Sequence, residues 1–249
     1  YYIMAYHLNA TITKHSEDRD DMSTLVIIPA YNEEDSIIST VEELKAIAPD
    51  YDYVIVNDGS KDKTADICRQ RNYRLIDLPC NLGLTGAFQT GMKYAYRHGY
   101  DHAIQFDADG QHMPQYICEL EQAMDDADAG IVIGSRFVIE QKPKTLRMLG
   151  SNLISLLIRI TTGTTIKDPT SGMRMYNKAE IAQFALRNDL SPEPDTIAFL
   201  IKRKNTKVVE HQVVMRERTA GESYLTLSKS ISYMVNSCTA ILFSLWFRR

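Results

Sequence analysis

Cysteine is scarce and unpatterned. Cys68, Cys80, Cys118 and Cys238 fall at no paired or zinc-like spacing, which argues against a disulfide scaffold or a zinc module and points to a reduced, cytosol-facing setting. Positive charge is not in excess: 28 Lys and Arg against 32 Asp and Glu give a formal charge of -4, the wrong balance for a nucleic-acid binder. The G-x-G-x-x-G dinucleotide fingerprint is missing, and its place after a strand is taken by Asn81-Leu82-Gly83-Leu84-Thr85-Gly86. No apolar core follows the acidic run His15-Ser16-Glu17-Asp18-Arg19-Asp20-Asp21, so residues 1–21 read as a flexible leader or an expression-derived extension, not a signal peptide. The sequon Asn9-Ala10-Thr11 is read as chance in such a setting.

What is present is ordinary globular material. The 249 residues, 44% hydrophobic and 24% charged, suffice for one α/β domain with a terminal appendage. Thr24–Ile28, Tyr53–Val56, Tyr73–Leu78, Ala103–Phe106, Gly130–Gly134 and Val208–Met215 are short β-branched or apolar runs, most of them followed by helical periodicity. After the first strand, which Pro29 is expected to end, Ile37, Ile38, Val41, Leu44 and Ile47 recur at helical spacing. Alternation of this kind predicts a mainly parallel, Rossmann-like sheet flanked by helices, with ligands at the carboxyl ends of the strands.

Polar motifs cluster at those ends: Ala30-Tyr31-Asn32-Glu33, Asn57-Asp58-Gly59-Ser60, Asn81 with Gly83, and Ser135-Arg136. The most informative is Asp107-Ala108-Asp109-Gly110-Gln111-His112, directly after the fourth strand. Two carboxylates one residue apart at a strand end, with Gly110 allowing a turn, can converge on a small hard cation whose shell nucleotide phosphates complete. A calcium loop of EF-hand type would need Gly where His112 stands and an acid where Cys118 stands. An aspartyl-phosphate phosphatase would have Thr in place of Gln111.

Two later stretches are amphipathic. Leu149, Leu153, Leu156, Leu157 and Ile160 stripe the helix Leu146–Thr161, which carries Arg147 and Arg159, and its broad apolarity suits either a membrane interface or the core. From Ile231 a second apolar run, broken by Asn236 and serines, ends in Trp246-Phe247-Arg248-Arg249; it suits an interfacial helix or the start of a membrane segment. Arg218, near Gly221 and a helix start at Ser223, suits clamping an anion.

Taken together, Ile28-Pro29-Ala30-Tyr31-Asn32-Glu33, Asn57-Asp58-Gly59-Ser60, Asn81-Leu82-Gly83, Asp107 to His112 and Thr170-Ser171-Gly172-Met173-Arg174 resemble the family 2 glycosyltransferases of GT-A fold. Within that family they are similar to the dolichyl-phosphate mannose synthases and bacterial polyprenyl-phosphate glycosyltransferases. The resemblance implies an inverting transfer of a hexose from a UDP- or GDP-linked sugar to undecaprenyl or dolichyl phosphate, for cell-surface polysaccharide or glycan assembly. Pro29, Tyr31, Glu33, Asp58, Asn81, Gly83, Asp107, Ala108 and Asp109 would hold the nucleotide sugar. Asp107, Asp109 and Gln111 would hold Mg²⁺ or Mn²⁺, and Ser135, Arg136, Arg147 and Arg218 the acceptor phosphate. The main catalytic burden would fall on Asp107, Asp109, Arg136 and Arg218. Asn57 departs from the family, where many relatives carry aspartate.

The organisation that follows is a leader over 1–21, a GT-A domain over 22–223 and a membrane-associated helix over 224–249. The protein is expected at the cytoplasmic face of the membrane, with a small membrane partner or a homo-oligomer open. Transfer to a sugar hydroxyl is the alternative reaction, and it would require a carboxylate in reach of the acceptor proton. A sugar nucleotidylyltransferase would carry a Gly-rich, Arg-bearing loop where Ala30-Tyr31-Asn32-Glu33 stands. A non-catalytic tethered binding module is the third class.

Overall fold

Alternating apolar strands and amphipathic helices build the expected three-layer arrangement. The computed structural model describes residues 23–143, 145–217 and 227–247; the expected leader, and Arg218 with Gly221 and Ser223, lie outside them. The elements are β1 (Thr24–Ala30), α1 (Ile37–Ile47), β2 (Asp52–Asn57), α2 (Thr64–Gln70), β3 (Leu75–Asp77), α3 (Gly83–His98), β4 (His102–Gln105) and α4 (Tyr116–Ala127). They continue as β5 (Ile131–Ser135), α5 (Leu146–Thr162), β6 (Arg174–Asn177), α6 (Lys178–Leu186), α7 (Pro194–Lys204), β7 (Val208–Gln212) and α8 (Leu227–Phe247).

The seven strands form one sheet in the order β3-β2-β1-β4-β6-β5-β7. All pairings are parallel except those of β6, which runs antiparallel between β4 and β5 and sets Arg174 opposite Gln105 on one side and Ile133 on the other. Strand side chains alternate faces. Leu25, Ile27, Val54 and Val56 pack with Phe88, Phe184 and Phe199 on one side; Val26, Ile28, Ile55 and Ile104 pack with Val41, Leu44 and Leu120 on the other. Full burial of each such side chain contributes about 1.5–3 kcal/mol relative to exposure, which explains why strands covered on both faces read as continuous apolar runs.

Of the strand boundaries that depart from the expectation, three have a visible cause. β1 does not stop at Pro29 but runs on to Ala30 beside β2. The proline is tolerated because pairing of β1 with β4 ends at Ile27, so no partner carbonyl waits for the missing N–H. β3 shrinks to Leu75–Asp77 at the sheet edge, where it has only β2 to pair with. β7 ends at Gln212 because its partner β5 ends at Ser135.

On α5 the apolar stripe turns outward. Leu149, Leu153, Leu156 and Ile160 are exposed, whereas the off-stripe Ile154 and Ile158 are fully buried. α8 packs on α5 and α7 and leaves Val235, Leu242 and Phe243 exposed. Among the described residues no helix is long and apolar enough to cross a membrane.

Candidate active site

The carboxyl ends of β1, β2, β4 and β5 open on one edge of the sheet, where backbone groups without ladder partners are tied by side chains. The loops after β1 and β2 are laced together: Asn32 N–H donates to Ser60 Oγ at 2.9 Å, Lys61 N–H to Asn32 Oδ1 at 2.8 Å, and Glu33 N–H to Thr64 Oγ1 at 2.8 Å. The Glu33 carboxylate accepts from Ser36 Oγ at 2.6 Å. Pro29 and Tyr31 are half-buried beside it.

Asp58 is 3% exposed and accepts from Leu82 N–H at 2.7 Å. It therefore pins the Asn81–Gly83 turn against β2. The approach is so close that a Cβ on Gly59 would lie 2.6 Å from the Cys80 carbonyl carbon, and Gly59 has a φ of +64°. Asn81 itself is exposed and accepts from Gly83 N–H at 3.2 Å. Asn57 donates to Asp77 Oδ1 at 2.6 Å. An aspartate at this position, which the resemblance implied, would set a second carboxylate against Asp77.

The β4 loop holds the acidic couple. Asp107 keeps its side chain about one-third exposed and accepts from Gln105 Nε2 at 3.1 Å. Its own N–H donates to His112 Nδ1 at 2.9 Å. The neutral ring consequently carries its proton on Nε2, which lies 3.6 Å from Asp107 Oδ2. Asp109 is buried and accepts from Gln111 N–H at 3.1 Å, and Ala108 O accepts from Thr40 Oγ1 at 2.9 Å, fastening the turn to α1. Gln111 donates its amide to Arg216 O at 3.3 Å, which turns its Oε1 away from that contact. Arg216 is in turn held by both oxygens of Glu43, at 2.7 and 2.8 Å.

The chemistry of this donor set fits the implied cation. Two carboxylates and a carboxamide offer only hard oxygens, the preference of Mg²⁺ and Mn²⁺. Among the described residues no three His, Cys, Asp or Glu side chains form a metal cluster, so a cation held by this set would need further oxygen ligands from outside the protein.

The arginine expected at the acceptor is not a free cation. Arg136 makes a bidentate pair with the fully buried Asp168, Nε to Oδ2 at 2.7 Å and Nη2 to Oδ1 at 2.9 Å. Both oxygens of Glu210, on β7, accept the N–H groups of Lys167 and Asp168 at 2.7 Å each, so the edge strand sets Asp168 and Asp168 sets Arg136. Ser135 is fully buried, its Oγ accepting Phe137 N–H at 3.3 Å. Arg147 lies on the first turn of α5 with its side chain outside the described set, and Arg218 is outside it altogether.

One loop touches both halves. Asp168 at its start grips Arg136, Ser171 Oγ donates to Gly134 O at 2.6 Å, and Gly172 at its end lies against Asp107. A Cβ on Gly172 would be 2.8 Å from Asp107 Oδ2 and 3.5 Å from His112 Cε1. Gly172 and His112 stand inside the motifs quoted above with no role assigned to them, whereas Asp168 and Glu210 were not among the expected site residues; the Asp-Pro-Thr-Ser-Gly run by itself is turn chemistry.

The family profile described as Glycosyl transferase family 2 matches residues 25–183, which contain this whole edge apart from β7 and the segment after it. The chain belongs to glycosyl transferase family 2. It is therefore a glycosyltransferase, and its sheet and flanking helices are the GT-A fold that the motifs implied. An undecaprenyl-phosphate mannosyltransferase of Micrococcus luteus is 32% identical over 216 residues, 82% of this chain and 88% of that protein. A UDP-N-acetylglucosamine–dolichyl-phosphate N-acetylglucosaminyltransferase of Methanococcus voltae is 33% identical over 182 residues, 65% of this chain and 72% of that protein. In fold, the family 2 domain is similar to glucosyl-3-phosphoglycerate synthase from Mycobacterium tuberculosis, solved with Mn²⁺, uridine diphosphate and phosphoglyceric acid. The TM-score is 0.67 at 14% identity, covering 92% of this chain and 80% of that one.

Proposed function

We propose that this glycosyltransferase moves a hexose from a nucleoside diphosphate sugar to a polyprenyl phosphate at a membrane surface, with inversion at the anomeric carbon. The observation that carries the reading is the Asp168–Gly172 loop, whose first residue pairs with Arg136 and whose last lies against Asp107, so the residues we assign to the cation and to the acceptor share one support. The relatives act on undecaprenyl and dolichyl phosphates by name, and their sugars differ, so the acceptor class is the common element.

Asp107, Asp109 and Gln111 would hold Mg²⁺ or Mn²⁺ on the donor side. When bound, the cation offsets charge as the diphosphate departs. Tyr31, Glu33 and the turn pinned by Asp58 form the nucleoside side. A phosphate monoester with a second pKa of about 6 is largely ionised at neutral pH. Its oxygen attacks C1 of the sugar from the side opposite the diphosphate, the C1–O bond to that diphosphate breaks, and the leaving group takes the electron pair. No general base is needed, in contrast to a hydroxyl acceptor. Arg136, with Arg147 and Arg218, holds the acceptor phosphate in line.

The exposed leucines of α5 and the exposed Val235, Leu242 and Phe243 of α8 support attachment to a membrane through an interfacial surface, which our reading sets at the cytoplasmic face. The test is a panel of UDP- and GDP-sugars with undecaprenyl or dolichyl phosphate and Mn²⁺, followed by mass analysis of the lipid. A hexosyl-phosphoryl lipid is expected. Sugar appearing only on hydroxyl acceptors would overturn the reading.

A further inference from the structure

Glu193 stands at the N-cap of α7, yet its side chain caps nothing. The carboxylate turns instead to α8, where its Oε2 accepts the Tyr233 hydroxyl at 2.7 Å. Burial raises the Glu193 pKa, with a smaller push from the charge of Asp195, and the Tyr233 hydroxyl and the Arg174 cation oppose that rise. The residue before it is held from the other side, Pro192 O accepting from Arg174 Nη1 at 2.9 Å. The turn that opens α7 is thus fastened to α8 by a side chain and to β6 through its backbone.

Arg174 is the member with the highest cost. It is 2% exposed, carbonyl oxygens accept from its two terminal nitrogens, and its buried Nε has no partner. Packing alone does not require a cation here, since an apolar side chain of similar volume would fill the space without desolvating a charge. What the guanidinium does is space two loops. Its Nη2 donates to Pro169 O at 2.7 Å, one residue after the Asp168 that grips Arg136. The far end of that loop has its own anchor, Ser171 Oγ on Gly134 O at 2.6 Å, so a shift of Arg174 falls on Asp168 and Arg136 before it reaches Gly172 and Asp107.

We propose that Tyr233 and Glu193 are positioning residues for acceptor use: the seat of α8 on α7 sets Arg174, and Arg174 sets the loop residue that aims Arg136. This rests on the polyprenyl-phosphate reading above. It adds a link from the helix that exposes Val235, Leu242 and Phe243 to the arginine assigned to the lipid phosphate.

The test uses the purified full chain, farnesyl phosphate as acceptor and the donor identified by the panel above. Tyr233→Phe removes the hydroxyl and keeps the ring. Glu193→Gln keeps an accepting oxygen and removes the charge that faces Arg174, and it serves equally if the first variant folds poorly. Substitutions along such a network change coupled binding by about two- to thirtyfold, so each is expected to raise the acceptor KM by about that factor. Donor KM, donor hydrolysis and the Mn²⁺ requirement are expected to stay within about twofold. The discriminating readout is a double-substitution cycle with Arg136→Lys, which keeps the charge but loses the fork that Asp168 holds. Effects of independent residues multiply, whereas a Tyr233 that acts through Arg136 leaves the acceptor KM of the double variant short of that product by about threefold or more. A product met in full, or donor and acceptor KM rising together, would overturn the proposal while leaving the acceptor reading standing. No transfer to farnesyl phosphate by the unsubstituted protein would overturn both.

Discussion

Gly172→Ala separates the placement of Asp107 from the stability of the fold. The added Cβ would lie 2.8 Å from Asp107 Oδ2 and 3.6 Å from its Cγ, against ordinary contacts of 3.4–4 Å. Gly172 is not among the residues of positive φ, so alanine fits its backbone without strain. What must yield is the far end of a short side chain, displaced by about half an ångström or more, and catalytic groups need placement to within about 0.5 Å. A misplacement of about 1 Å can lower turnover about 100-fold, so a fall of about ten- to a hundredfold in kcat is expected. Stability should barely move: Gly→Ala at a compatible backbone contributes about 0.4–1 kcal/mol through the unfolded chain, which offsets the contact. For a chain of this size that keeps Tm within about 2–4 °C. The assays are steady-state transfer, Mn²⁺ titration of activity, and a thermal melt. Full activity with an unchanged metal requirement would show that the Asp107 rotamer set by Gly172 does not matter.

Asp107→Ala and Asp109→Ala are expected to abolish transfer at any Mn²⁺ concentration, and unchanged turnover in either would remove the cation assignment. Arg136→Ala strands the fully buried Asp168 and should destabilise by about 3–5 kcal/mol in denaturant melts; a change below about 1 kcal/mol would contradict the buried pair. Asn57→Asp sets a carboxylate against Asp77. It should destabilise at neutral pH and recover as pH falls below about 4, where carboxylates protonate, and a pH-independent loss would refute the charge argument. Burial raises the Glu180 pKa above its ordinary value of 4.5. Its contribution to stability is therefore full below pH 4.5 and is lost as pH rises through the raised value. Glu180→Gln should gain stability relative to the unsubstituted protein between acidic and neutral pH, and parallel melts across that range would rule this out.

The sequence by itself determined the local matters. Apolar runs such as Thr24–Ile28 became covered strands because a strand buried on both faces needs no polar alternation, and Asp107 and Asp109 landed in the loop after β4 because polar turn residues follow such strands. Family membership was readable for the same reason, since its motifs are contiguous. Tertiary structure decided the pairings. That β6 inserts antiparallel between β4 and β5, bringing Gly172 to Asp107, follows from long-range strand order, which no local pattern encodes. The same holds for Glu210 reaching from β7 to set Asp168, which holds Arg136, and for the outward turn of the α5 stripe. Which face of an all-round apolar helix is buried depends on what the rest of the chain sets against it, and that is fixed only when the layers close.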